Sequence, residues 1–176
     1  MSTLRTDTIT TVAGKPLVNN TGNVINVYQT VDTTQDFFQD GLVDSDLTGL
    51  SITLTPTSTN SKFILVANIV TTTNFVLGFG FKRNGTRIGK ATANINAGLA
   101  AGGTNFTYIY YEGSSYGVQM AKTIMDYDLP NTVSNVTYTP FFRNTWDSTN
   151  YGTYYNNRSN NDMGSTSSFI IYEVVG

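Results

Sequence analysis

Apolar side chains in this chain recur at every second position and almost nowhere at the spacing of a helical face. Leu50, Ile52 and Leu54 alternate with Ser51, Thr53 and Thr55, the pattern of a strand with one face buried and one in water. Ile25, Val27 and Val31 share one face of a segment from Asn23 to Val31. Phe75, Leu77, Phe79 and Phe81 share another, and Val76, Gly78 and Gly80 on its reverse leave room for close approach of a second backbone. Phe63 to Val70 is apolar on both faces apart from Asn68, which predicts a central strand or one buried at a subunit contact. A helix cannot sort such a pattern into an inside and an outside, so the chain is confined to sheets.

Turn residues punctuate the strands. Pro56–Ser61 and Asp128–Asn131 are rich in turn formers, as is Glu112–Gly117. Asn84-Gly85 between strand-like flanks is the strongest short hairpin signal. Further strands are expected near Asn105–Tyr111, Val118–Asp126, Val136–Phe142 and Phe169–Val175. Roughly eight to ten strands joined by turns predict an all-β fold, an antiparallel β-sandwich of jelly-roll-like form. In residues 1–22 the apolar positions Leu4, Ile9, Val12, Leu17 and Val18 are too sparse to bury much. These residues read as an extended N-terminal arm before a β-domain over 23–176. The Asn-rich tract Asn156–Ser168 reads as a loop at one end of the sandwich, and Phe169–Val175 as an integral strand.

Composition narrows the function. Charged residues make up 12% of the chain, about half the roughly 25% usual for soluble domains, with Thr, Asn, Ser and Tyr in their place. The net charge is −2 and no basic stripe is present, so binding to nucleic acid or an anionic membrane has little electrostatic support. No apolar run approaches the roughly 20 residues that cross a bilayer, and Met1 is followed by Ser-Thr-Leu-Arg-Thr-Asp, not a signal segment. There is no cysteine and no histidine. Disulfide stapling and a structural zinc site are thereby excluded.

Few residues suggest chemistry, and no cofactor is expected. Gly113-Ser114-Ser115-Tyr116-Gly117 has the spacing of a nucleophile elbow but no histidine to take the serine proton, and it falls in a predicted hairpin turn. Gly85–Thr92 is one residue short of a phosphate loop and lacks the helix that would follow it. Asp126 and Asp128 would lie on one face of a strand roughly 7 Å apart. They could serve a turn, a calcium site or glycoside hydrolysis, and Asp44 with Asp46 reads the same way. Trp146, Tyr151, Tyr154, Tyr155, Asn156, Asn157 and Arg158 combine aromatic faces with amide and guanidinium donors. That mixture suits contact with a glycan or receptor, or an ordinary loop rim. On either account, alanine at Tyr154, Tyr155 and Arg158 is expected to leave the melting temperature nearly unchanged.

Several stretches, in order, resemble a family of small phage virion proteins common in viruses of marine bacteria (cyanophage-type). "STLRTDTITTVAGKPLVNNTGNVINVYQ" is similar to that family's start, and "LTGLSITLTPTSTNSKFILVANI" to its Gly-Leu-Ser and Thr-Pro-Thr-Ser segment. "RNGTRIG", "DYDLPNTVSNVTYT" and "GSTSSFIIYEVVG" resemble its hairpin, its Asp-x-Pro turn and its terminal strand. The resemblance implies a non-enzymatic virion structural protein, tail-fibre-like, with no catalytic residues. The expected form is a short tail fibre or adhesin, a homotrimer that meets other virion proteins through its arm and the host surface through its β-domain. A capsid decoration or head-fibre protein, and a carbohydrate-binding module, are the alternatives.

Overall fold

The computed structural model describes residues 22–38, 43–73, 77–89, 107–109, 119–144, 152–157 and 164–176. The predicted arm, up to residue 21, lies outside the described residues. Twelve strands and one turn of 3₁₀ helix, η1 (Thr48–Leu50), make up the secondary structure there. The first sheet holds β1 (Val24–Asp32), β2 (Asp36–Phe38), β5 (Lys62–Thr73), β9 (Gln119–Asp128), β11 (Thr153–Tyr155) and β12 (Ser167–Val174). The second holds β3 (Asp44–Asp46), β4 (Ile52–Leu54), β6 (Leu77–Arg83), β7 (Thr86–Arg87), β8 (Thr107–Ile109) and β10 (Val136–Asn144). All pairings are antiparallel.

Several of these strands are halves of one interrupted strand. β1 and β2 flank β12 and β11 in turn, and β12 and β11 in turn flank β5. Likewise β4 and β3 both flank β10 on one side, and β7 and β8 both flank β6. Counting each such pair once leaves eight strands, ordered 1-8-3-6 in the first sheet and 2-7-4-5 in the second. The chain crosses between sheets at nearly every step, which is the double Greek key of a jelly roll. The predicted all-β sandwich is therefore the observed one.

The core follows from the alternation. Phe63, Leu65, Ala67 and Ile69 of β5 point inward and are fully buried, as are Phe169 and Ile171 of β12. From the second sheet Leu77, Phe79, Phe81, Tyr138 and Phe142 meet them. Rings touch across the interface: Phe81 stacks on Phe169 at 5.5 Å and Phe63 packs on Tyr138 at 5.8 Å. The Asn84-Gly85 turn forms as expected, with φ of 50° and 77°, and joins Arg83 to its partner Thr86. Positive φ at both central residues matches the right-handed twist of the flanking strands.

The structure assigns a side to one sequence pattern and changes one expectation. The face of β1 that carries Val27 and Val31 looks outward, at 58% and 51% exposure. A bulge between Val24 and Asn26 shifts the register, and Tyr28, Thr30 and Asp32 occupy the inward positions where polar groups are needed. Asp44 and Asp46 lie on a strand, β3, and not in a turn.

The register gives the sandwich two distinct ends. At the base, Phe63 pairs with both Glu173 and Asp128, and the Gly22 amide donates to the Val175 carbonyl at 3.0 Å. At the tip, Thr73 pairs with Thr153, and Leu77 with Asn144.

β12 sits between β1 and β5, so removing it would expose two strand edges and the centre of the core. Deleting 169–176 is expected to abolish cooperative unfolding. Phe169→Ala alone should cost about 3–5 kcal/mol, measured as a shift in the urea midpoint at constant slope.

Candidate functional site

The carboxylates considered for chemistry are engaged in structure. On the outer face of the second sheet, Asp44 accepts from Arg87 Nε at 2.7 Å and lies 3.3 Å from Lys82 and 3.7 Å from Arg143. Lys82 also pairs with Asp46. These side chains cover Phe141, an outward-facing ring that is nonetheless fully buried. Lys82 and Arg87 stand 5.3 and 5.2 Å from its centroid, and its strand neighbour Gly80 adds no side chain beside it. Burial alone would raise the Asp44 pKa, but hydrogen bonds and charge from Arg87, with Lys82, hold it below the ordinary range.

At the base, Asp128 joins the two sheets. It accepts from Arg83 at 2.6 Å and from the Tyr138 hydroxyl at 2.7 Å. Burial first, and then Asp128, push the Tyr138 pKa far up, so the phenol stays a donor. Asp126 shares a strand face with Asp128 as predicted, and its pKa is raised by burial and by Asp128. Asp128 is thus bonded to an arginine of the second sheet and to a phenol of the same sheet. Among the described residues no group of three or more acidic side chains could hold a metal ion.

The aromatic and asparagine cluster is divided by the fold. Tyr154 and Tyr155 are adjacent on β11, so they face opposite sides of the sheet. Tyr154 faces outward against Phe37, with ring centroids 4.6 Å apart. Tyr155 is buried in the core and donates to Asp32 Oδ2 at 3.1 Å. Asn156 and Asn157 are buried too. This corrects the surface-contact reading of Tyr155, Asn156 and Asn157, and with it the expectation that alanine at Tyr155 is harmless. Trp146, Tyr151 and Arg158 lie outside the described residues.

Asn156 is a connector. At φ 55° it takes the left-handed conformation that asparagine tolerates. Its Nδ2 donates to the carbonyls of Asp32 and Thr34, each at 3.0 Å, and its Oδ1 accepts from Ser167 Oγ at 2.7 Å. Beside it, a cavity of about 200 Å³ opens between β1–β2 and η1, lined in part by Asp32, Asp36, Asp46, Phe38 and Tyr155. Composition alone did not point to Asp32 or Phe38. The signal that was present is the Tyr-Tyr adjacency, which on any strand sends one ring inward.

Glu173 closes the base. It is fully buried and accepts from the Thr57 amide at 2.6 Å, Ser61 Oγ at 2.7 Å, Asn26 Nδ2 at 2.8 Å and Tyr28 at 3.3 Å. Burial would raise its pKa, but the bonds from Asn26, Ser61 and Thr57 outweigh that and lower it.

The outer face of the first sheet is not used by the core. Across β1, β12, β5 and β9, one row reads Val27, Tyr172, Ile64, Tyr127. The next reads Gln29, Ile170, Val66, Met125, and a third Val31, Ser168, Asn68, Thr123. No charged residue occupies these rows. Met125 and Tyr127 are 70% and 64% exposed, and Ile64 is 37% exposed on a central strand.

No protein-family model matches the chain, and no curated protein matches it.

Two outcomes follow from these contacts. A depressed carboxylate pKa stabilises the fold above its unfolded value and loses that contribution as pH falls through the folded value. Stability should therefore fall as pH drops below about 4.5, the unfolded reference for Glu173. Glu173→Gln should cost about 2–3 kcal/mol at neutral pH and flatten that acid limb in denaturant titrations. Tyr155→Ala should cost about 3–5 kcal/mol, whereas Tyr154→Ala should cost about 1 kcal/mol.

Proposed function

We propose that the protein is a non-enzymatic structural component of a phage virion, a short tail fibre or adhesin-like part that acts as a homotrimer. Residues 1–22 hold it to the particle and the tip of the β-sandwich meets the host surface. The polarity of the sandwich carries this reading. The chain enters the fold at the base, where the Gly22 amide bonds Val175. The segment with Trp146 and Tyr151 is flanked by Asn144 and Gly152, beside the Leu77 and Thr73 pairings of the tip. On this reading attachment and presentation use opposite ends of the sandwich, which lie about 40 Å apart along the 12-residue β5. The commitment of Asp44, Asp128 and Glu173 to structural bonds fits a role without catalysis. The resemblance in sequence supplies the virion.

A carbohydrate-binding module is the second reading. The cavity beside Tyr155 favours it, since carboxylates next to aromatic rings can accept from sugar hydroxyls.

Deleting residues 1–21 should leave the circular dichroism spectrum and melting temperature of the β-domain unchanged while removing the protein from assembled particles. Particles that still contain the truncated chain would exclude the arm as anchor. Trp146→Ala with Tyr151→Ala should reduce attachment of particles to host cells, and normal attachment would remove the adhesin role.

A further inference from the structure

We infer that the outer face of the first sheet, uncharged across its three central rows and carrying Lys62 at its base, is the surface through which copies of this chain pack on one another. The inference rests on the proposed homo-oligomer and names its interface. The two outer faces of the sandwich differ in kind. That of the second sheet carries Asp44, Asp46, Lys82, Arg87 and Arg143, which pair with one another over Phe141. The three central rows of the first sheet's face hold no charge, and Val27, Met125 and Tyr127 each expose more than half their surface. Packing the neutral face on the ionic one would desolvate charges that the neutral face cannot hydrogen-bond or pair. Packing it on the same face of another copy removes apolar surface from water at no such cost.

The size also fits a second copy. β5 has 12 residues and spans about 40 Å, and four strands give a width of about 20 Å, so each copy offers on the order of 800 Å². Specific interfaces use roughly that area from each partner. Beyond the central rows, the face continues toward the tip through Phe37 and Tyr154, so one surface runs the length of the strand. Three such faces can also surround one axis. Walls about 20 Å wide in a triangular prism stand about 6 Å from its centre, near half the roughly 10 Å between packed sheets. The apolar rows would then fill the prism as they fill a sandwich core.

The test uses the full chain and light scattering at tens of micromolar. Wild type should have three times the 19.2 kDa chain mass. Val27→Lys with Met125→Lys should fall to the mass of one chain while keeping the strand signal in circular dichroism, because both positions are exposed within a single copy. Thr53→Lys, exposed on the other outer face, should keep the wild-type mass. A wild-type monomer, or a double variant that retains the multimer mass, would overturn the inference. The virion reading fails separately: a multimer disrupted by the double variant yet absent from particles leaves the interface standing, and a monomer found in particles leaves the virion role standing without it.

Discussion

The buried carboxylate of Glu173 organises the base of the sandwich. Its donors come from β1, from the turn at Thr57 and from Ser61 beside β5, while the acid itself belongs to β12. Three separate parts of the chain, β1, the 57–61 turn and β12, therefore converge on one side chain. A two-sheet core is sealed along its length by alternating apolar residues, but its ends need polar groups that the backbone there can use. Glu173 does this at the base. Asn156, with Asp32, Tyr155 and Ser167, ties β1, β11 and β12 together nearer the tip. Both sets cross-link strands distant in sequence, so each fixes register as well as burying polar atoms.

The two outer faces show how a chain with few charges distributes them. Five of its charged side chains gather on one face of the second sheet, where they shield Phe141. The central rows of the opposite face are left with valine, isoleucine, tyrosine, methionine and amide or hydroxyl groups, with Lys62 at the base. Composition records the scarcity of charge but not this segregation, which follows from the register of β3 on β10 and of β9 on β5.

Long strands were legible in the sequence through period-two alternation or, for the central β5, through an apolar run bounded by turn residues. β5, β6, β10 and β12 and the Asn84-Gly85 turn belong to this group. The three-residue strands β2, β3 and β11 were not legible, since they are continuations of interrupted strands and too short for a period to register. Asp44-Ser45-Asp46 shows no apolar alternation at all; its outward acids are satisfied by cations from β6, β7 and β10. The candidate contact cluster was misjudged for a related reason. Asparagine and tyrosine are common on rims, so their burial at Tyr155 and Asn156 shows only once strand parity and the partners in β1 and β12 are known. The outward direction of Val27 and Val31 follows from their pairing with Tyr172 and Ser168, which alternation alone does not reveal.

The pairing of β1 with β12 has a consequence in time. β1 is the first described strand to leave the ribosome and β12 the last, and β5 cannot complete its sheet until β12 lies beside it. Contacts between such distant segments close late and slowly. A nascent chain therefore lacks both Glu173 and the middle of the neutral outer face until synthesis has passed Val174. The register of β1 and of β5 against β12 is set only when that strand has been made.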